Sequence, residues 1–215
     1  MRPREKAQML GVESLSDSEL LAILLSSGYK GVSSLQLAEE ILQKVGGING
    51  LMKLSMNEIM EFKGVGLARA SLLVASLELV RRINYEEALS QDVIAGPQGL
   101  VRWLQSFIGM KEQEYFIVVF LDNKNRITGY RNLFRGLSDS VSVQSSLLFR
   151  EALNCHASKL IIAHNHPSQS VKPSLDDLSV TNQLQKAGEL MNLPVIDHII
   201  VSQHDYFSFR ENNRI

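Results

Sequence analysis

The stretch Lys159-Leu160-Ile161-Ile162-Ala163-His164-Asn165-His166-Pro167, followed after a short loop by Pro173-Ser174-Leu175-Asp176-Asp177, decides how this chain is read. Its short apolar run predicts a buried strand, and Pro167 stops it. Side chains at i and i+2 of a strand point the same way, so the imidazoles of His164 and His166 converge on one ion. Pro173-Ser174 marks a helix start with Ser174 as N-cap, which sets Asp177 at the third helical position, beside the helix N-terminus. Two neutral imidazoles and one carboxylate leave a fourth tetrahedral position for water, the open geometry of a catalytic zinc ion rather than a closed structural one. The chemistry this implies is hydrolysis by a metal-activated water. Asp176 is the nearby competitor of Asp177, and the spacing favours Asp177.

Outward from this stretch the sequence is mixed α/β. A helix ending near Ile108 precedes the β-branched and aromatic run Tyr115–Leu121, a buried strand, and Asp122-Asn123-Lys124-Asn125 is a turn into a second strand. A helix over about 144–155, the strand Lys159–Ala163, a helix over about 174–191 and a strand near Val195–Val201 complete a sheet-centred half. All five histidines, His156, His164, His166, His198 and His204, fall in this half, and imidazole is the commonest metal ligand and acid–base group. His156, His204 and Cys155 lack neighbours that suggest chemistry. Asp197-His198 is a polar pair inside an apolar strand, which is either a satisfied core pair or a support for a metal ligand.

Residues 4–96 contain no proline and read as helical. Ser16-Asp17-Ser18-Glu19 is a capping box before a short amphipathic helix that Gly28 stops. Ser33-Ser34 opens a helix closed by Gly46-Gly47, and Ser55-Met56-Asn57-Glu58 is another capping box. A long helix then runs to about Ile83, and the polar stretch 84–95 reads as a linker, with a domain boundary near residue 92.

The 215 residues suffice for one medium or two small domains, and 45% apolar with 21% charged residues is the balance of a folded globular protein. No apolar run approaches the roughly 18 residues of a membrane span, and no leader pattern opens the chain, so the expectation is a cytoplasmic protein without a membrane partner. One cysteine excludes an internal disulfide and any cysteine-based metal cluster. A formal charge of −1, with neither half specialised, excludes the strong positive field of a dedicated nucleic-acid binder, so any nucleic-acid contact is local.

His164-Asn165-His166-Pro167-Ser168 with Pro173-Ser174-x-x-Asp177 resembles the His-x-His-Pro…Ser-x-x-Asp motif of JAMM (MPN-type) zinc metalloproteases. More closely it resembles the bacterial RadC family, whose members are described as DNA repair proteins. That resemblance covers nearly the whole chain, through Arg2-Pro3-Arg4-Glu5-Lys6, Leu15-Ser16-Asp17-x-Glu19-Leu20-Leu21-Ala22-Ile23-Leu24-Leu25, Gly64-Val65-Gly66 and Ile196-Asp197-His198-Ile199. One departure is visible: Gln169 stands where the family usually has glycine, which makes that loop bulkier.

The resemblance implies an MPN domain over 93–215, three-layered like the cytidine deaminases and with a mixed sheet, behind a small all-α domain over 1–92. It implies one zinc ion per chain, held by His164, His166 and Asp177, and a peptide or isopeptide-linked protein as substrate. It also implies an upstream glutamate as general base, for which Glu114 has the matching context and Glu112 is the rival; the alternative is that Glu114 merely begins a strand. By the same resemblance Ser174 both caps its helix and donates to the developing oxyanion. Phe62-Lys63-Gly64-Val65-Gly66-Leu67-Ala68-Arg69-Ala70 resembles a helix-hairpin-helix element. Its glycines allow close backbone approach, its free amides can hold a phosphate, and Lys63 and Arg69 add charge, which implies non-specific contact with duplex DNA. The competing functions are a non-catalytic DNA-associated module with a structural or vestigial metal site, and a metal-dependent nuclease, against which the ligand set argues. A zinc base deaminase is excluded by the missing Pro-Cys-x-x-Cys partner.

Overall fold

Local capping chemistry starts most of the N-terminal helices. Pro3, at the first helical position, opens α1 (Pro3–Leu10), and Ser16 with Glu19 forms a reciprocal box that opens α2 (Asp17–Leu25). Ser33 with Gln36 does the same for α3 (Ser34–Val45), which Gly46 ends in the left-handed conformation. After the single turn α4 (Ile48–Leu51), the Ser55/Glu58 box opens α5 (Met56–Met60). α2 stops at Ser26, with φ 65°, rather than at Gly28. Gly28 has a different duty, because a side chain there would run into the backbone of Val32 and Ser33.

The computed structural model describes residues 1–89, 92–93, 96–135 and 145–215. It divides into two compact units, Met1–Val80 and Arg81–Ile215. In the first, the inward faces of α2, α3 and α5 join Val65, Ala70 and Leu73 in one apolar cluster. Gly64 takes φ 85° with the Tyr29 ring against it, so this turn requires glycine.

From Leu67 the chain runs without a break to Leu89 as α6, past the end near Ile83 that the sequence suggested. Residues 84–89 are therefore helix and not linker, while residues 90, 91, 94 and 95 of that stretch lie outside the described residues. The physical reason is a stripe at helical spacing: Tyr85, Ala88 and Leu89 pack on the core of the second unit, and the intervening Glu86-Glu87 hides that periodicity.

The second unit holds α7 (Gln98–Phe107), β1 (Tyr115–Leu121), β2 (Ile127–Arg135), α8 (Ser145–Asn154), β3 (Lys159–Asn165), α9 (Leu175–Leu190), β4 (Val195–Val201) and β5 (Tyr206–Ser208). The five-stranded sheet has the order β2-β1-β3-β4-β5; β3 and β4 are parallel and the other pairs antiparallel. β1 and β3 are buried on both faces, which is why they read as continuous apolar runs. Ile117, Val119, Leu121, Ile161 and Ala163 face α7 on one side. Phe116, Val118, Phe120, Leu160 and Ile162 face α8 and α9 on the other. The sheet is thus mixed and covered by helices on both faces, and the parity of β3 sends His164 to the α9 side. No helix among the described residues is long and apolar enough to cross a membrane.

Candidate metal centre

β3 continues two residues past the apolar run, to His164 and Asn165, so both imidazoles leave the same strand end. The first turn of α9 meets them there. Ser174 caps the helix: its Oγ accepts the Asp177 N–H at 3.1 Å, and its own N–H and Oγ–H donate to Asp177 Oδ2 at 2.7 Å each. This box turns the carboxylate back over the helix start, toward the histidines. Asp177 Oδ1 lies 3.1 Å from His164 Nε2, Oδ2 lies 3.3 Å from His166 Nε2, and the two Nε2 atoms are 2.9 Å apart. The three ligand atoms all fall within 4.8 Å of one another. Two ligands of a tetrahedral zinc ion, each about 2.0–2.1 Å from the metal, are about 3.3 Å apart.

The hydrogen positions fit a cation as well. His166 Nδ1 sits 2.7 Å from the Ser170 carbonyl, which can only accept, so a neutral His166 carries its hydrogen on Nδ1 and offers a bare Nε2 lone pair to the site. Burial works to raise the Asp177 carboxyl, but its close contacts with the His164 and His166 imidazoles hold it far below the usual carboxylate range. Its bond with His166 in turn raises that imidazole, against the pull of burial. An anionic carboxylate and nitrogen lone pairs facing one another are the environment of a divalent metal, and two histidines with one carboxylate leave a position open.

Glu114 immediately precedes β1, which pairs with β3 at Phe116↔His164. Glu114 thus lies two residues before that pair, as His166 lies two residues after it, and the Glu114 charge contributes to raising the His166 imidazole. The segment is held by Asn165, the residue between the two histidines. Its Oδ1 accepts the Tyr115 N–H at 2.9 Å and its Nδ2 donates to the carbonyls of Lys111 and Gln113, each at 3.1 Å. Glu112, in that same loop, is exposed.

A family model for the RadC-like JAB domain matches residues 94–214, and a UPF0758 N-terminal model matches residues 1–71. The chain belongs to the RadC family. A UPF0758 protein of Clostridium perfringens is 38% identical over 99% of this chain and 93% of its own length. UPF0758 proteins of Actinobacillus succinogenes and Flavobacterium johnsoniae are each 37% identical, over 99% and 97% of this chain and 97% and 91% of their own lengths. Those names state no activity.

In this RadC chain Gln169 has φ 62°, the left-handed backbone that glycine enters freely, which is the physical reason a glycine suits the position. Its side chain compensates. Nε2 donates to the Gly109 carbonyl at 3.0 Å and Oε1 accepts the Gln203 N–H at 2.9 Å, so the bulkier loop is pinned.

The two readings of Asp197-His198 divide between the residues. Asp197 anchors the C-terminal segment, accepting the Ser208 Oγ–H at 2.7 Å and the Arg210 N–H at 3.0 Å. His198 instead touches one of the three converging side chains, its Nε2 lying 2.8 Å from His164 Nδ1. Burial, and then the neighbouring His164, push its imidazole well below its usual range, so it is neutral. Thr181 on the other side of His198, and Asn165, were given no role by the sequence reading. The signal for Asn165 was a polar residue inside a fully buried strand.

In the first unit the residues of the glycine hairpin behave differently from one another. Gly66 is exposed with open space around it, and Lys63 Nζ stands 5.3 Å from the centre of the Tyr29 ring. Arg69, expected to add charge toward a phosphate, turns inward. Its guanidinium donates to the carbonyls of Gly64 and Gly28 and to Ser27 Oγ, so it braces the hairpin.

Proposed function

We propose that the second unit of this RadC protein is a zinc-dependent hydrolase of the JAMM type that cleaves a peptide or isopeptide bond, with one zinc ion per chain. The observation that carries the reading is the convergence of His164 Nε2, His166 Nε2 and the Asp177 carboxylate at the end of β3. These three side chains would hold the zinc ion, which would supply a Lewis acid and lower the pKa of a water toward neutrality. Glu114 takes the proton of the attacking water and returns it to the leaving nitrogen as the C–N bond breaks. Ser174 orients Asp177, and because its hydroxyl hydrogen is directed at Oδ2, donating to an oxyanion requires that hydrogen to turn away.

Metal content measured by mass spectrometry on protein purified without chelator or histidine tag tests the reading. About one zinc per chain is expected, lost in Asp177→Ala and kept in Asp176→Ala. Wild-type protein that carries no metal and takes up no added zinc would refute it.

Proton linkage gives a second expectation. The raised His166 imidazole keeps its proton to higher pH than a free one, so zinc must displace it, and the apparent zinc affinity falls as pH falls through neutrality. Calorimetric titration in buffers of different ionisation heat should register proton release below neutral pH and less above it. Equal heats in all buffers at the lower pH would contradict the assignment.

The exposed hairpin supports a reading for the first unit. Open space at Gly66, the amides that begin α6, and Lys63 suit non-specific contact with the phosphates of duplex DNA. Retention of the full chain on duplex DNA should weaken with salt, and Lys63→Ala should reduce the log–log slope by about 1. Absence of retention at low salt would remove this reading without touching the hydrolase.

A further inference from the structure

We propose that Thr181 and His198 are positioning residues that fix which ring nitrogen of His164 carries hydrogen, and so keep the His164 Nε2 lone pair aimed into the metal centre. The purpose of the device rests on the zinc reading; its geometry does not.

Thr181 is 2% exposed, one turn after Asp177 on α9, and its Oγ lies 2.5 Å from the Asp177 carbonyl oxygen. A carbonyl oxygen only accepts, so the single hydroxyl hydrogen points there. Toward His198 Nδ1, 2.6 Å away, the threonine oxygen then has lone pairs alone, and Nδ1 must be the N–H. A neutral imidazole has one such hydrogen, so His198 Nε2 is bare and accepts from His164 Nδ1 at 2.8 Å. With its hydrogen on Nδ1, His164 has a bare Nε2.

Reversing any member of this chain would set two hydrogens or two lone pairs face to face, in a place where His164 and His198 are buried and water cannot substitute. The His198 ring has little freedom to turn out of line. Phe209 stacks on it with ring centres 4.7 Å apart and planes 16° from parallel, and Asp197 ties down the segment that carries Phe209. His166 reaches the same state by a shorter route, through the Ser170 carbonyl. The two ligands thus have their tautomers set by separate parts of the chain, the loop after β3 for one and α9 with β4 for the other.

The test is the tautomer itself. Long-range proton–nitrogen correlation spectra of metal-free, nitrogen-15-labelled chain at mildly alkaline pH should show His164 and His198 both in the Nδ1–H form. Thr181→Val keeps the side-chain shape without the hydroxyl. It should lose the single tautomer at His164 and lower zinc affinity about 10–100-fold, and Thr181→Ser should restore both. His164 in the Nε2–H form in the wild-type chain overturns the proposal whether or not zinc binds. So does a Thr181→Val chain with tautomer and zinc affinity unchanged. The Nδ1–H form in a wild-type chain that takes up no zinc would sink the hydrolase reading and uphold the relay.

Discussion

Glu114→Gln should lower hydrolysis of a peptide or isopeptide bond by about 10²–10⁴-fold while the zinc content stays near one per chain. The amide matches the carboxylate in shape but cannot accept the proton of the attacking water. Three features keep the expectation specific. Glu114 lies two residues before the Phe116↔His164 pair, its charge is felt by the His166 imidazole, and Asn165 holds the segment leading to it from both sides. Glu112→Gln, at an exposed loop position two residues earlier, should leave the rate unchanged. Turnover of a model isopeptide substrate by the two zinc-loaded variants checks both statements. A Glu114→Gln enzyme as fast as wild type would remove Glu114 from the chemistry.

Trp103→Ala should destabilise the second unit by about 3–5 kcal/mol. Trp103 is 2% exposed on α7, stacked on Phe107 with ring centres 5.4 Å apart and touching Tyr85 and Tyr130 at 4.9 and 4.8 Å. Alanine would leave a void among three aromatic rings that a sheet and two helix segments hold apart, so collapse can fill little of it. Scanning calorimetry should show the unfolding midpoint lowered by about 10 °C or more. Because Trp103 packs on the sheet face opposite His164, zinc content of the folded variant should not change. A midpoint within a degree or two of wild type would mean that this cluster does not hold the unit together.

What was legible in the sequence was local. The period of two in His164-Asn165-His166 and the four-residue box from Ser174 to Asp177 are short-range rules that the backbone cannot easily evade, and they gather His164, His166 and Asp177 in one place. The buried strands were legible because a sheet covered on both faces leaves no polar alternation in β1 or β3. What stayed hidden depends on partners far along the chain. Thr181 acquires its meaning from His198, on the strand after its own helix, and Asn165 from carbonyls more than fifty residues earlier. The charge of Arg69 was visible, but its acceptors Ser27 and Gly28, some forty residues back, were not. The end of α6 was misplaced because two glutamates outweighed a three-residue apolar stripe.

Asn165 lies in sequence between the two histidines and grips the segment that ends in Glu114. The two histidines and the Glu114 segment therefore share one frame of reference. A sliding or breathing motion of β3 carries His164, His166 and the Glu114 segment together, so their separations do not accumulate the errors of many intervening joints. In an architecture where the base hung from an independent loop, each reaction cycle would wait for two bodies to find their alignment. Here the alignment of both histidines with the Glu114 segment rests on the end of β3, while Asp177 reaches them from the first turn of α9.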